Sequence, residues 1–377
     1  TAAAVMESLV PPKIDRPPAN RPSTDERAAL FAGDANQMDK PMHMARLLSW
    51  ALADLMLAYP EIVVAGEDVG PKGGVYNVTA KLHQRFGSAR VINTLLDEQA
   101  ILGLAIGMAH NGFVPMPEIQ FLAYVHNAED QIRGEAATLS FFSNGQYTNP
   151  MVIRIAGLGY QKGFGGHFHN DNSLAVFRDI PGVILAVPSN GRDAVQMLRE
   201  CVRLAREEQR VVVFVEPIAL YMTRDLHEEG DGLWTSAYEA PGEGTPIRLG
   251  DVGVHGDGTD LAIVTYGNGT YLSRQAEKLL AADGVKARVI DLRWLGPVDA
   301  DKLVAAVGEA KRVLIVDECR ITGSQSEALM ALFTERTPDK KLARIAAEDS
   351  FIPLGKAATV TLPSRDSIYA AAKELVA

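Results

Sequence analysis

The sequence is short of positive charge, has almost no cysteine and contains no long apolar run. Against 37 Lys and Arg stand 47 Asp and Glu, a net charge of -10 over 377 residues. Nucleic acids and acidic membranes are held by clustered positive charge, so neither is expected as a partner. The two cysteines, Cys201 and Cys319, lie far apart. They form neither a disulfide framework nor a zinc spacing, which favours a reducing compartment. No apolar stretch approaches the roughly 20 residues that span a bilayer, and no signal-type core lies near Thr1. What is present is a globular composition, 47% hydrophobic and 22% charged. At this length it supports a large core and two or three domains.

Residues 1–41 read as an extension. Pro11, Pro12, Pro17, Pro18 and Pro22 fall among Lys13, Arg16 and Arg21. Proline at that density blocks helix and sheet, so the arm is expected to be extended, disordered or wrapped along a partner. Over 42–224 short apolar runs alternate with helical patterns. "IVVAGEDV", "RVINT", "VPMPEIQF", "PMVIRIAG", "GVILAVPS" and "RVVVFVEP" read as buried strands. Helices are predicted in "HMARLLSWALADLMLAY", over about 79–86, 99–111 and 126–142, and in "GRDAVQMLRECVRLAREE". Residues 225–258 are acidic and rich in turn formers, the mark of a connector. The alternation resumes over 259–377 with "DLAIVTYG", "VKARVIDLRWL", "RVLIVDE" and "LARIAAE". The pattern implies an α/β protein of two doubly wound domains with mostly parallel sheets.

Three stretches carry candidate chemistry. In "TLLDEQAILGLAIGMAHNG" Asp97 and Glu98 open an apolar helix. Acids favour helix N-termini for electrostatic reasons alone. Ile101, Leu102, Leu104 and Ile106 follow, however, and a carboxyl in such company has its pKa raised by desolvation and can trade a proton with a ligand. In "GLGYQKGFGGHFHNDNS" five glycines precede His167 and His169. Glycines permit close backbone approach to a ligand, and histidine suits proton transfer near neutral pH. The two histidines with Asp171 form a weaker candidate metal set, because no further ligand falls at a familiar spacing. In "EIQFLAYVHNAEDQIRGEAA" Phe121 and Tyr124 flank a strand-to-helix junction, either as core or as a platform for a planar ring. "HGDGTD" opens like a metal-diphosphate motif, but no Asn-Asn pair follows and it reads as a turn.

Taken in order from about 42 to 376, "VVAGEDVGPKGGVYNVTAKLHQRFG", "RVINTLLDEQAILGLAIGMA", "PEIQFLAYVHNAEDQIRGEAA", "DIPGVILAVPSN", "VVVFVEPIALY", "DLAIVTYGNGTY", "VKARVIDLRWLGPVD" and "RVLIVDECRITG" resemble the beta subunit of thiamine-diphosphate-dependent 2-oxo acid dehydrogenases. "EIQF" and "VIDLR" lean toward the branched-chain type over the pyruvate type. The resemblance implies a pyrimidine-binding domain followed by a transketolase C-terminal-like domain. It implies thiamine diphosphate with magnesium, the diphosphate and metal held mainly by an alpha subunit in a two-plus-two heterotetramer and the aminopyrimidine by this chain, and a lipoyl acyltransferase core as the further partner. It implies oxidative decarboxylation of a 2-oxo acid and acyl transfer to lipoamide, in bacterial cytoplasm or, less favoured, the mitochondrial matrix.

By position Glu98 matches the glutamate that hydrogen-bonds the aminopyrimidine, Tyr124 the aromatic against that ring, Gln120 a neighbouring pocket residue and His169 the active-site histidine. His167 is its rival. Where the family usually has Ser-Gln-Ser after the histidine, this chain has Asn170, Asp171 and Asn172. Asp171 is expected to raise the pKa of the histidine beside it. Two other readings stand beside this one: a transketolase or deoxyxylulose-phosphate synthase half, and a catalytically silent assembly subunit.

Overall fold

The computed structural model describes residues 1–159 and 166–377. Among these residues twelve strands form two sheets: β1 (Ile62–Gly66), β2 (Val91–Asn93), β3 (Val114–Ile119), β4 (Met151–Gly157), β5 (Ile184–Ala186), β6 (Val211–Pro217), β7 (Gly253–His255), β8 (Leu261–Thr265), β9 (Ala287–Asp291), β10 (Trp294–Gly296), β11 (Arg312–Arg320) and β12 (Lys341–Ala347). The first sheet has the order β10-β5-β6-β4-β3-β1-β2 and is parallel except for β10. The second, β12-β11-β8-β9-β7, is parallel except for β7. The α/β architecture read from the alternating pattern is the one observed.

Strands buried on both faces explain the unbroken apolar runs. Along β6, Val212 and Phe214 face one core, which also holds Leu48 and Leu52 of α1 (Met44–Ala58). Val211, Val213 and Val215 face a second core with Ile101, Leu102 and Ala105 of α2 (Glu98–His110). The first core also takes Val195 and Leu198 of α3 (Gly191–Glu208). The second core continues into the C-terminal domain through Ala262, Val264 and Leu303, so one apolar cluster joins both sheets. No helix among the described residues is long and apolar enough to cross a membrane.

The N-terminal arm departs from the extended or disordered state expected of it. Ala2–Glu7, Thr24–Leu30 and Ala35–Met38 are short helices. Ser23 and Glu26 form a capping box: the Ser23 hydroxyl accepts from Glu26 N at 3.2 Å, and the Glu26 carboxylate accepts from Ser23 N at 2.8 Å. The arm is bound to its own chain. Arg27 makes paired bonds of 2.9 and 3.1 Å to Asp54, buried Asp34 takes Lys81 and Arg85 at 2.6 Å each, and Phe31 joins the first core.

Two helices also differ. The helix predicted over 126–142 is a 3-10 segment (Leu122–Asn127), a wide π segment (Gln131–Ala136) and a short α turn (Leu139–Phe142). The Asn149 amide donates to the carbonyls of Glu135 and Ala136 at 3.2 Å each, drawing acceptors away from a regular ladder. The helix predicted over 79–86 starts only at Leu82, because Lys81 takes a left-handed φ of 67°.

At the domain junction α4 (Asn268–Ala282) begins against Glu318 of β11. Asn268 donates to the Glu318 carboxyl from its backbone N at 3.1 Å and from Nδ2 at 2.8 Å, and Nδ2 also reaches the Leu158 carbonyl. Burial pushes Glu318 up to about 8, against these bonds. A carboxyl with a raised folded pKa stabilises the fold at low pH, and that contribution is lost as pH rises toward the folded value. Stability should therefore fall between about pH 4.5 and pH 8 by an amount on the order of 5 kcal/mol. Glu318→Gln should flatten that slope, read from urea midpoints across the window.

Candidate active site

Four parallel strands end together. Glu67 follows β1, Asp97 and Glu98 follow β2, Gln120 and Phe121 follow β3, and Leu158 follows β4. Ligands of open α/β sheets bind at this carboxyl edge.

The two adjacent acids at the start of α2 divide the work. Asp97 is the N-cap, its side chain accepting from Ala100 N at 3.1 Å. Capping is thus satisfied without Glu98, which is 9% exposed and accepts from Asn127 Nδ2 at 3.3 Å. Glu67 belongs to the same cluster. Burial raises its pKa, and the charges of Asp68 and Glu98 add to the rise. Its signal in the sequence was the acid that ends the apolar run of β1. Asn127 had no such signal, because only the 3-10 path of Leu122–Asn127 turns its amide toward Glu98.

Phe121, Tyr124 and His169 make one wall. The Phe121 ring stands edge-on to His169 with centroids 4.5 Å apart and edge-on to Tyr124 at 5.8 Å. The Tyr124 hydroxyl lies 3.4 Å from His169 Nε2. Burial raises the Tyr124 pKa, with Glu67 and Glu98 adding to it. Gln120 lines a narrow neighbouring cavity with Gly74, Tyr76 and Glu118, and its buried Nε2 has no hydrogen-bond partner among the described residues. The structure therefore gathers Glu98, Tyr124 and His169 at one edge, with Gln120 beside them.

Residues 40–223 match the transketolase pyrimidine-binding domain, and residues 250–367 match the transketolase C-terminal domain. The chain is 32% identical to the pyruvate dehydrogenase E1 component subunit beta of Bacillus subtilis, covering 89% of this chain and 98% of that one. It is 34% identical to the same subunit of Staphylococcus aureus, covering 88% and 98%. The chain belongs to the E1 beta family of thiamine-dependent 2-oxo acid dehydrogenases. A solved structure described as a split-gene transketolase, inactive beta4 tetramer, shares the fold with a TM-score of 0.68 at 21% identity, over 89% of this chain and 99% of that one.

In this E1 beta chain the two histidines are separated. His167 is exposed, its ring against Phe168 at 4.0 Å and facing Phe351 at 6.5 Å. His169 is half-buried on the aromatic wall. Residues 160–165 of the Gly-rich stretch lie outside the described residues. Among those described, no three His, Cys, Asp or Glu side chains are arranged to hold a metal, and "HGDGTD" is the turn from β7 to β8.

Asp171 requires a correction. Its carboxylate was expected to act on His169, but it is directed elsewhere. One oxygen accepts from Ser173 Oγ at 2.7 Å and faces Arg320 at 3.5 Å; the other lies 3.8 Å from His126 Nε2. Asp171 thereby raises the His126 pKa, burial opposes the rise, and Glu129 at 3.8 Å from Nδ1 adds to it. Burial works to raise the Asp171 pKa itself, but His126, Ser173 and Arg320 outweigh it and leave it lowered. The 45-residue separation of His126 and Asp171 hides this pair from any local reading.

Proposed function

We propose that this chain is the beta half of a 2-oxo acid dehydrogenase E1. It decarboxylates a 2-oxo acid and passes the acyl group to a lipoyl group, in a site shared with an alpha subunit in a two-plus-two assembly. The observation that carries this reading is Glu98, a carboxyl largely withdrawn from water, spared from capping, at the edge that also holds Tyr124 and His169.

The residues fit the aminopyrimidine side of thiamine diphosphate. Gln120 Nε2 is a donor without a partner among the described residues, Phe121 and Tyr124 offer aromatic surface, and Glu98 offers a carboxyl. When bound, the coenzyme supplies the electron sink for decarboxylation. Glu98 exchanges a proton at its carboxyl oxygens while Asn127 fixes the direction of Oε2. Tyr124 and Phe121 hold a planar ring and exclude water. His169, beside the Tyr124 hydroxyl, carries a proton for decarboxylation or acyl transfer. The diphosphate and magnesium fall to the alpha subunit, since Gly256-Asp257-Gly258 here is followed by no Asn-Asn pair.

An apolar surface beside the site supports a shared active site. Leu95 and Leu96, immediately before Asp97, are 83% and 74% exposed, and Leu104 of α2 is exposed on the helix that Glu98 begins. Adjacent exposed apolar residues of this kind mark a protein contact. A lipoyl acyltransferase core is the second partner, and bacterial cytoplasm the setting. "EIQF" and "VIDLR" favour a branched-chain acid, while the relatives are named for pyruvate.

The test compares the chain alone with the chain mixed with an E1 alpha subunit. Calorimetry should show weak binding of thiamine diphosphate and magnesium to the lone chain and tight binding to the mixture. The mixture should reduce an artificial acceptor when given a 2-oxo acid, faster with the branched-chain acid than with pyruvate. Tight magnesium-dependent binding by the lone chain would defeat the half-site reading.

A further inference from the structure

The residues around the histidine pair are bonded to the C-terminal domain on both sides. Before the pair, the Leu158 carbonyl takes the Asn268 amide. After it, buried Asn172 donates from Nδ2 to the Glu318 carbonyl at 2.6 Å. Arg320, at the end of β11, donates to Ser173 Oγ at 2.8 Å and faces Asp171 at 3.5 Å. Farther on, Arg178 donates to the carbonyls of Gly323 and Ser324. The guanidinium of Arg320 is itself held, with Nε on the Ser350 carbonyl at 3.2 Å and the Phe351 ring 5.8 Å away.

His169 lies two residues before Asp171, in a tight turn where the backbone N–H groups of His169 and Asn170 both donate to the Gly166 carbonyl at 3.2 and 3.1 Å. A turn this short transmits a displacement of Asp171 to the imidazole. The ring packs on Phe121 and Tyr124 of the first domain, while its chain is braced by β11 of the second. We propose that Arg320 is a positioning residue for His169, acting across the domain boundary through Ser173 and Asp171. The inference rests on His169 serving the reaction as proposed above. It gives the C-terminal domain a part in the chemistry beyond assembly. A displacement of about 1 Å at a reacting group costs on the order of 10²-fold in rate, so the brace is felt in turnover before it is felt in substrate binding.

The experiment uses the full chain with its E1 alpha subunit and five variants: Arg320→Met, Arg320→Lys, Ser173→Ala, His169→Ala and the double Arg320→Met/His169→Ala. Expected is a 10- to 100-fold fall in kcat for Arg320→Met, on the scale of the misplacement argument, with KM for the 2-oxo acid unchanged. Arg320→Lys should recover part of it, and Ser173→Ala, which removes the hydroxyl between Arg320 and Asp171 but leaves their direct 3.5 Å contact, should show a smaller fall in a chain that folds normally. The double variant Arg320→Met/His169→Ala should be no slower than His169→Ala alone, because both changes remove the same function. The His169 imidazole proton resonance of the chain by itself should shift or broaden in Arg320→Met. Losses that multiply in the double variant, or an unmoved resonance, would overturn the inference. A slow His169→Ala beside a full-rate Arg320→Met overturns it while leaving the proposed reaction intact. A full-rate His169→Ala overturns the role proposed for His169 and this inference with it.

Discussion

Glu98→Gln, reconstituted with an E1 alpha subunit, should lose roughly 10²–10⁴-fold in 2-oxo acid decarboxylation, the range for removing a general acid–base partner. The fold should be untouched. Asp97, not Glu98, caps α2, and a glutamine oxygen still accepts from Asn127. Thermal unfolding should therefore match the parent chain while turnover collapses. The amide keeps the shape and the hydrogen bond but cannot exchange a proton, so this variant separates chemistry from placement. An undiminished rate would falsify the assignment of Glu98 and leave the aromatic wall without its acid.

The second large effect concerns stability. Arg154 of β4 is 1% exposed and bonds both oxygens of Glu216 on β6, at 2.7 and 3.0 Å, and Glu118 on β3 at 2.7 Å. The Tyr221 hydroxyl donates to Glu216 at 2.6 Å. Glu118 and Arg154 are direct cross-strand partners, so one cation bridges acids on both flanking strands. Burial raises the Glu118 pKa, with Arg154 opposing. Arg154→Met strands two carboxylates in the sheet. Breaking a buried pair in this way costs about 3–5 kcal/mol, a large part of the roughly 5–15 kcal/mol that holds a domain together. The variant should unfold at markedly lower urea. It should regain stability as pH falls, because protonation removes the stranded charges. Replacing Glu118 and Glu216 by glutamine in the same chain should restore much of the loss. A midpoint equal to the parent's would show that the triad contributes nothing net.

Local pattern carried much of the fold and of the site. Asp97 before an apolar helical period marks the start of α2, and the unbroken apolar run Val211–Val215 of β6 marks a strand buried on both faces. What stayed hidden was set by contacts distant in sequence. The Asn149 amide bonds the Glu135 and Ala136 carbonyls from outside the helix expected over 126–142, and Asp171 turns to His126 and Arg320 because the C-terminal domain brings Arg320 within reach. "VKARVIDLRWL" looks like one strand but is two, since Arg293 takes a left-handed φ of 61° and redirects the chain. The N-terminal arm is a different case. Ser23 and Glu26 spell a capping box in the sequence itself, yet five prolines upstream of it dominate any reading by composition.

That redirection at Arg293 governs how the molecule can be taken apart. It sends Trp294–Gly296 back to zip onto β5 as the outermost strand of the first sheet. A gene divided at the acidic connector would yield a front piece with the β5 rim bare, and bare rims recruit other chains. On the ribosome the first sheet must likewise wait for residue 296 before its border is sealed.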